Sequence, residues 1–331
     1  MPSMTDSRLT SLGWCLFLDR QLSADDRDLV PVRIAVVHRS RLTAEAAVGR
    51  VKLGFPGTTM DFAVGEWVLM DPVTRQIARR LEQKSLLQRR TAHSETPQRI
   101  AANVDTLFIV TSCNDDFNEA RLERYLSVAN EAGITPVIVL TKIDTVTEHA
   151  TWQGRALGLQ RGLVVVALDA RSPDAVAVLA PWCGPGQTVA LIGSSGVGKS
   201  TLLNTLAAKS IEAAQPTGAI RSSDDKGRHT TTARSLHAIQ GGGWVIDTPG
   251  MRTLHVSDVA GGLDMLFAEI AELAPQCRFR NCTHAHEPGC AVLAAVDEGR
   301  VSARRLARWR KLDAESRDNT PVRSGTRGKR R

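Results

Sequence analysis

Gly193-Ser194-Ser195-Gly196-Val197-Gly198-Lys199-Ser200 has the spacing G-x-x-x-x-G-K-S. An apolar run over residues 188–192 leads into it, and residues 200–208 follow with helical spacing. Strand, glycine-rich turn and helix, in that order, form a phosphate cradle. The glycines let successive N–H groups turn inward, and the helix N-terminus favours an anion. In such a loop Lys199 meets the β- and γ-phosphates, the Ser200 hydroxyl ligates Mg²⁺, and Thr201 completes the phosphate-side set. With average residue frequencies a match of this kind arises by chance on the order of 0.01 times in such a chain. The loop therefore predicts a nucleotide site.

Outward from the loop, two shorter motifs identify the nucleotide. Thr141-Lys142-Ile143-Asp144 ends an apolar run and resembles the guanine-reading N-K-x-D signature of GTPases. An Asp carboxylate accepts from both N1–H and the exocyclic amine of guanine, a donor pair that adenine lacks. The Lys142 stem can cover the ring face. Thr141 stands where those proteins carry Asn, which helps to hold the phosphate loop, so some rigidity is expected to be lost while the base preference stays. Asp247-Thr248-Pro249-Gly250 follows the apolar run 244–246 and resembles D-x-x-G, in which Asp holds Mg²⁺ through water and the Gly N–H senses the γ-phosphate. The order is permuted, because the base-reading motif precedes the phosphate loop instead of following it. Ala167-Leu168-Asp169-Ala170 falls where a permuted guanine-loop S-A-K belongs, with Asp169 in place of Ser. Circular permutation keeps the sheet and site geometry while moving the termini. It also joins the γ-phosphate-sensing segment directly to the C-terminal region, so hydrolysis can reposition that region.

The rest of the chain separates by texture. Residues 1–30 read as a variable polar lead-in. Short β segments at 32–37, 48–53 and 66–70, broken by Gly and Pro turns, suit a small barrel over 31–90, an OB-type barrel first among the candidates. Lys84, Arg89 and Arg90 mark a basic linker. From 98 to 258, apolar strands at 104–110, 135–140, 164–167, 188–192 and 244–246 alternate with helical stretches such as 117–132. That alternation predicts a parallel sheet covered on both faces. The last region, from 259, reads as helical.

Charge and cysteine usage narrow the setting. The net charge is +7, and residues 300–331 hold twelve Lys and Arg against three Asp and Glu, a net of +9 that leaves −2 for the remainder. A basic C-terminus points to a polyanion partner. Residues 302–316 read as a helix carrying Arg304, Arg305, Arg308, Arg310 and Lys311, able to lie along phosphates; Trp309 can equally pack on its neighbours. Residues 323–331 read as disordered until bound. No apolar run is long enough to span a bilayer, and residues 12–18 lack the flanks of a signal peptide, so a cytoplasmic setting without membrane contact is expected. Cys15, Cys113 and Cys183 read as scattered thiols. Cys277, Cys282, His284 and Cys290 form C-x₄-C-x-H-x₅-C, a closed tetrahedral Zn²⁺ set with a structural role, and His286 is a competing ligand.

Together, these residues resemble the ribosome small-subunit-dependent GTPase A family of circularly permuted bacterial GTPases. The resemblance spans residues 31–295 and rests on the motif order, on Gly227-Arg228-His229-Thr230-Thr231-Thr232, on the upstream barrel and on the metal cluster. It implies an α/β P-loop GTPase domain, circularly permuted, flanked by an N-terminal all-β OB-type barrel and a C-terminal, mostly helical zinc-binding domain (259–298), with a basic helix and tail (299–331) beyond. It favours His284 as the fourth zinc ligand. It also implies slow GTP hydrolysis stimulated by the small ribosomal subunit, late in the maturation of that subunit, by a monomer that binds ribosomal RNA. The segment 227–232 resembles the switch over Mg²⁺ and the γ-phosphate, with Thr231 favoured among Thr230, Thr231 and Thr232 as the Mg²⁺ ligand. Met251 follows Gly250 where many GTPases carry a water-orienting Gln. A thioether cannot orient water, so His229 is the nearest candidate, with loop shaping or RNA contact as its alternative role. Two rival readings stand beside this one: an RNA chaperone in which GTP only sets conformation, and a permuted GTPase of the large subunit.

Overall fold

The computed structural model describes residues 7–89, 97–207, 234–247 and 259–320. Two short helices come first, α1 (Ser7–Ser11) and α2 (Leu16–Asp19). They fall in the segment read as a polar lead-in, yet Leu9, Leu12, Trp14 and Leu18 are buried with Trp67, Leu69 and Leu81. Helices of about one turn are too brief to show an apolar period in sequence.

Five strands follow: β1 (Val30–Val37), β2 (Leu42–Ala46), β3 (Gly49–Leu53), β4 (Trp67–Met70) and β5 (Ile77–Arg80). β1 pairs antiparallel with both β2 and β4, β2 pairs with β3, and β4 with β5. A bridge between Gly54 and Gln76 joins the end of β3 to the start of β5 and closes the five strands into an OB-type barrel. Closure leaves few free edges to pair wrongly. A hairpin of β6 (Leu86–Arg89) and β7 (Gln98–Ala102) comes next. Part of the stretch read as a linker is thus strand.

The second half of the sheet is built on β8 (Thr106–Ser112), β9 (Thr135–Thr141), β10 (Val164–Ala167), β11 (Thr188–Ile192), β12 (Arg234–Ala238) and β13 (Trp244–Asp247). Their order is β10-β9-β8-β11-β13-β12, parallel except for β12. Four helices connect them: α3 (Glu119–Glu131), α4 (Ala150–Leu157), α5 (Asp174–Leu179) and α6 (Lys199–Leu206). Successive residues of each central strand face opposite layers. Phe108, Val110, Val137, Val139, Val189 and Leu191 pack in one cluster with Leu179, Leu202, Leu203 and Leu206. Leu107, Ile109, Ile138, Leu140, Ala190 and Ile192 pack in the other with Leu122, Leu126 and Leu163. Burial on both faces accounts for unbroken apolar runs, since each buried Leu or Phe contributes roughly 1.5–3 kcal/mol.

Four further α-helices follow among the described residues: α7 (Ala260–Leu266), α8 (Ala268–Leu273), α9 (Ala291–Asp297) and α10 (Ala303–Asn319). Among the described residues no helix is long and apolar enough to cross a membrane.

The barrel and the parallel sheet share hydrogen bonds. β12 pairs with β13 on one side and with β1 on the other, in the register Val36↔Ser235 and Val37↔Arg234. Arg33 of β1, 1% exposed, donates to the Leu12 carbonyl (2.7 Å) and to Thr188 Oγ1 on β11 (2.8 Å). Burial pulls its pKa down to about 10. Three strands of the two halves are therefore tied at one seam.

Candidate functional site

β11 delivers the phosphate loop to the carboxyl edge of the sheet, next to β8. Gly193 takes φ +152°, and a Cβ there would collide with the Val110 carbonyl oxygen of β8, so no larger residue fits. Gly196 and Gly198 also have positive φ, +79° and +96°, values that favour glycine. Val197 is buried and pins the loop, whereas Ser195 and Gly196 are exposed at its rim. α6 begins at Lys199, so its free N–H groups face the loop. Lys199 Nζ donates to the Ser194 carbonyl, and Arg121 of α3 donates to Ser194 Oγ. Ser200 and Thr201 occupy the first turn, half-buried.

Thr141 corrects one expectation from sequence. Its side chain is wholly buried at the end of β9, and Oγ1 lies 2.6 Å from the Val197 carbonyl oxygen and 3.2 Å from that of Thr111. The single hydroxyl proton serves the nearer acceptor, which belongs to the phosphate loop. The hydroxyl thus makes the tie that a longer Asn supplies elsewhere. It reaches because the loop passes close, as the 3.6 Å from Thr141 Oγ1 to a Cβ built on Gly198 indicates.

Lys142 turns the chain with φ +57°, and Asp144 follows in a short 3₁₀ turn. Asp144 Oδ2 accepts from Arg171 Nη2 at 2.7 Å, and Arg171 Nε in turn bonds Asp169 Oδ1 at 3.2 Å. The Arg171 amide and guanidinium hold the Asp169 carboxyl below its ordinary range. Sequence reading singled out Asp169 but missed Arg171, which follows two residues later at the Lys position of S-A-K. Thr205 of α6 donates to the Ala170 carbonyl at 2.7 Å and so fastens this loop to the helix behind the phosphate loop.

Asp247 closes β13, one step beyond the Ala190–Ile246 pair, at the same sheet edge. The structure thus brings together Thr141, Lys142, Asp144, the loop 193–201 and Asp247 along one edge. Thr248, Gly250, Met251 and the segment 227–232, with His229, Thr230, Thr231 and Thr232, lie outside the described residues, as does the tail from 321.

The second site is the cysteine cluster. Cys277 Sγ, Cys282 Sγ, His284 Nδ1 and Cys290 Sγ all lie within 4.8 Å of one another. Cys277 Sγ is 3.6 Å from His284 Nδ1 and 3.9 Å from Cys290 Sγ, and His284 Nδ1 is 3.4 Å from Cys290 Sγ. A tetrahedral ion with metal–sulfur bonds of about 2.3 Å and a metal–nitrogen bond of about 2.0 Å requires edges of roughly 3.5–3.8 Å, so the donor set fits a metal ion. Burial raises the Cys277 thiol, but amides at the start of α9 and the Cys290 and Cys282 thiols more than offset it and its pKa falls, whereas burial pushes Cys282 up to about 11. Burial lowers His284, which keeps its imidazole neutral. His286 is exposed and not part of the cluster. The ring of Trp309 on α10 lies 5.3 Å from that of His284.

α10 itself differs from the phosphate-binding helix its charge suggested. Arg305 bonds Glu123 (2.8 Å), Glu269 (2.7 Å) and the Leu266 carbonyl (2.6 Å). Arg308 bonds Glu119 at 2.5 Å and faces Glu123 at 3.0 Å, while Arg304 reaches Glu119 at 3.0 Å. Three of its arginines are committed to carboxylates of α3 and α8, and sequence showed the charges without their partners.

A sheet in this order, with a glycine cradle after β11 and a guanine-type carboxylate after β9, defines a P-loop GTPase with its motifs circularly permuted. Comparison with known proteins agrees. The chain belongs to the RsgA GTPase family, whose model matches residues 80–257. It is 62% identical over 322 residues to the small ribosomal subunit biogenesis GTPase RsgA of Mesorhizobium japonicum, covering 97% of this chain and 93% of that one. The Vibrio vulnificus protein named small ribosomal subunit biogenesis GTPase RsgA 2 is 49% identical, with 96% and 91% covered. Among solved structures, YjeQ from Thermotoga maritima superposes with a TM-score of 0.63 at 25% identity, covering 87% of this chain and 98% of its own. YloQ, a circularly permuted GTPase, gives a TM-score of 0.61 at 23% identity, with 91% and 99% covered, and supports the fold.

Proposed function

We propose that this chain hydrolyses GTP to GDP and phosphate during maturation of the small ribosomal subunit, docking on that subunit through its ribosomal RNA and being stimulated by it. One observation carries the nucleotide half of this reading: the buried Thr141 hydroxyl ties the base-reading strand end to the phosphate loop. The base carboxylate and the phosphate cradle are then one rigid unit, which favours a bound nucleotide that meets both. The subunit half is supported by the names of the relatives, which describe small ribosomal subunit biogenesis GTPases.

In this reading Gly193, Ser194, Ser195, Gly196, Val197 and Gly198 wrap the phosphates by their amides, and Thr201 completes the set. Lys199 leaves the Ser194 carbonyl to meet the β- and γ-oxygens. Ser200 and Thr231 would hold Mg²⁺, which would supply positive charge to neutralise the phosphates when bound with GTP. Asp247 orients toward the ion through water, Gly250 senses the γ-phosphate, and His229 positions the attacking water. Asp144 reads guanine while Lys142 covers it, and Arg171 must yield or share the carboxylate. Zinc on Cys277, Cys282, His284 and Cys290 staples the C-terminal domain. The units run 31–90, 98–258 and 259–298, in a cytoplasmic monomer. Phosphate release from GTP and from ATP tests the nucleotide half. GTP turnover should exceed ATP turnover and vanish in Lys199→Ala. Asp144→Asn should lose GTP and take up xanthosine triphosphate, whose exchanged donor and acceptor suit an amide. Equal turnover of GTP and ATP that survives Asp144→Ala contradicts it.

A further inference from the structure

Two sets of cations stand apart in the C-terminal region. On α10, buried Arg305 and half-buried Arg308 neutralise Glu119, Glu123 and Glu269. The other set lies on the short loop between the first two ligands of the cluster, Cys277-Arg278-Phe279-Arg280-Asn281-Cys282. Arg278, Phe279, Arg280 and Asn281 are all exposed. Neither Arg278 nor Arg280 has a carboxylate partner among the described residues. Phe279 is 41% exposed, and the Arg278 guanidinium carbon lies 5.5 Å from its ring centroid.

A single exposed Phe is ordinary. Three features set this one apart. Its loop is short and held at both ends by cluster ligands, and the amides of Arg278 and Cys282 bond the Gly289 and Phe279 carbonyls at 3.1 and 3.2 Å. The ring is therefore presented with little left to order on binding. Both its neighbours carry exposed guanidinium groups without a carboxylate partner among the described residues, that of Arg278 beside the ring. Cation, aromatic face and cation in sequence match a nucleotide strand, in which a flat base lies between two phosphates. A duplex hides its base faces in the stack, so only an unpaired base can meet this ring. An acidic peptide would engage the arginines but leave the ring without a partner.

We propose that Phe279 is a stacking platform for an unpaired RNA base, with Arg278 and Arg280 on the adjoining phosphates. This rests on the RNA-docking part of the proposed function and narrows it to one loop and one kind of RNA. The test uses the full-length, metal-loaded protein and fluorescence anisotropy, with an unstructured RNA oligonucleotide and an RNA duplex of equal length as probes. Phe279→Ala should weaken single-strand binding on the order of tenfold, the scale of one lost base stack, and leave duplex binding unchanged. Phe279→Leu should not restore it, and Phe279→Tyr should. Arg278→Ala with Arg280→Ala should weaken both probes and lower the single-strand salt slope by about 1.4, the share of two phosphate contacts. Metal content and basal GTP turnover of the Phe279 variants should match the wild type. Wild-type single-strand affinity in Phe279→Ala, or equal loss on both probes, overturns the platform while RNA docking stands. Failure of the wild type to bind either probe overturns both. A defect seen with intact subunits but with neither RNA assigns the ring to a ribosomal protein and overturns the platform.

Discussion

Thr141 joins two functions with one proton. Its hydroxyl donates to the Val197 carbonyl from a position with no solvent access. Thr141→Ala leaves that carbonyl short of a donor, a loss of about 1–2 kcal/mol, so affinity for a fluorescent GDP analogue should fall on the order of tenfold. Thr141→Ser keeps the donor and should stay within a few-fold of the wild type. Equal affinity in the alanine variant would show that the loop holds its shape without the tie. The loop 193–200 was legible in sequence because Gly193, Gly198, Lys199 and Ser200 are dictated by backbone geometry or phosphate chemistry. The Thr141 bond was not, since sequence gives side-chain identity but not the approach of the loop that puts an acceptor within its reach. Arg171 was hidden for the same reason: its bond to Asp144 spans 27 positions.

At the scale of elements, α10 is a clasp between the cluster region and α3. Glu123 is wholly buried beneath it, and burial raises its pKa while Arg308 and Arg305 oppose the rise. Arg305→Ala leaves that buried carboxylate with Arg308 alone and should cost about 3 kcal/mol in urea unfolding at neutral pH. The fold of the variant binds the Glu123 proton more tightly than the unfolded chain does. The deficit should therefore narrow as pH falls through the raised pKa and the carboxyl becomes neutral. A deficit independent of pH would point to lost packing instead. The metal staple gives a second prediction. Burial pushes the Cys183 thiol up to about 12 and also raises Cys113, so both are inert when folded. Alkylation of the metal-loaded protein should modify Cys15, half-buried, alone; chelation should add Cys277, Cys282 and Cys290. All four reacting before chelation would mean the cluster holds no ion. Strands rich in Val, Ile and Leu were readable in sequence, whereas β2 and β5, built from Leu42-Thr43-Ala44-Glu45-Ala46 and Ile77-Ala78-Arg79-Arg80, look too polar or too alanine-rich to announce themselves.

At the scale of the whole molecule, the barrel, the parallel sheet and the C-terminal helices share one continuous core, from Val32 and Ile34 through Leu107 and Leu126 to Val292 and Leu306. The β1–β12 pairing and the Arg33 bonds fasten the same seam. Sequence distinguishes these regions by texture and suggests separable modules. The pairing of residues 36–37 with 234–235 leaves no local mark, because strand partners so far apart are set by topology and not by pattern. Unfolding in urea should therefore follow one transition whether read by tryptophan fluorescence, to which Trp14 and Trp67 contribute from the barrel side, or by far-ultraviolet circular dichroism. Two separated transitions would show that the seam is too weak to couple the halves.

GTP turnover with and without purified small ribosomal subunits, at low and at moderate salt, tests the central claim most directly. A GTPase that docks through RNA phosphates should be strongly stimulated at low salt, with the stimulation fading as salt rises. Turnover that is the same with and without subunits at both salt concentrations would contradict it.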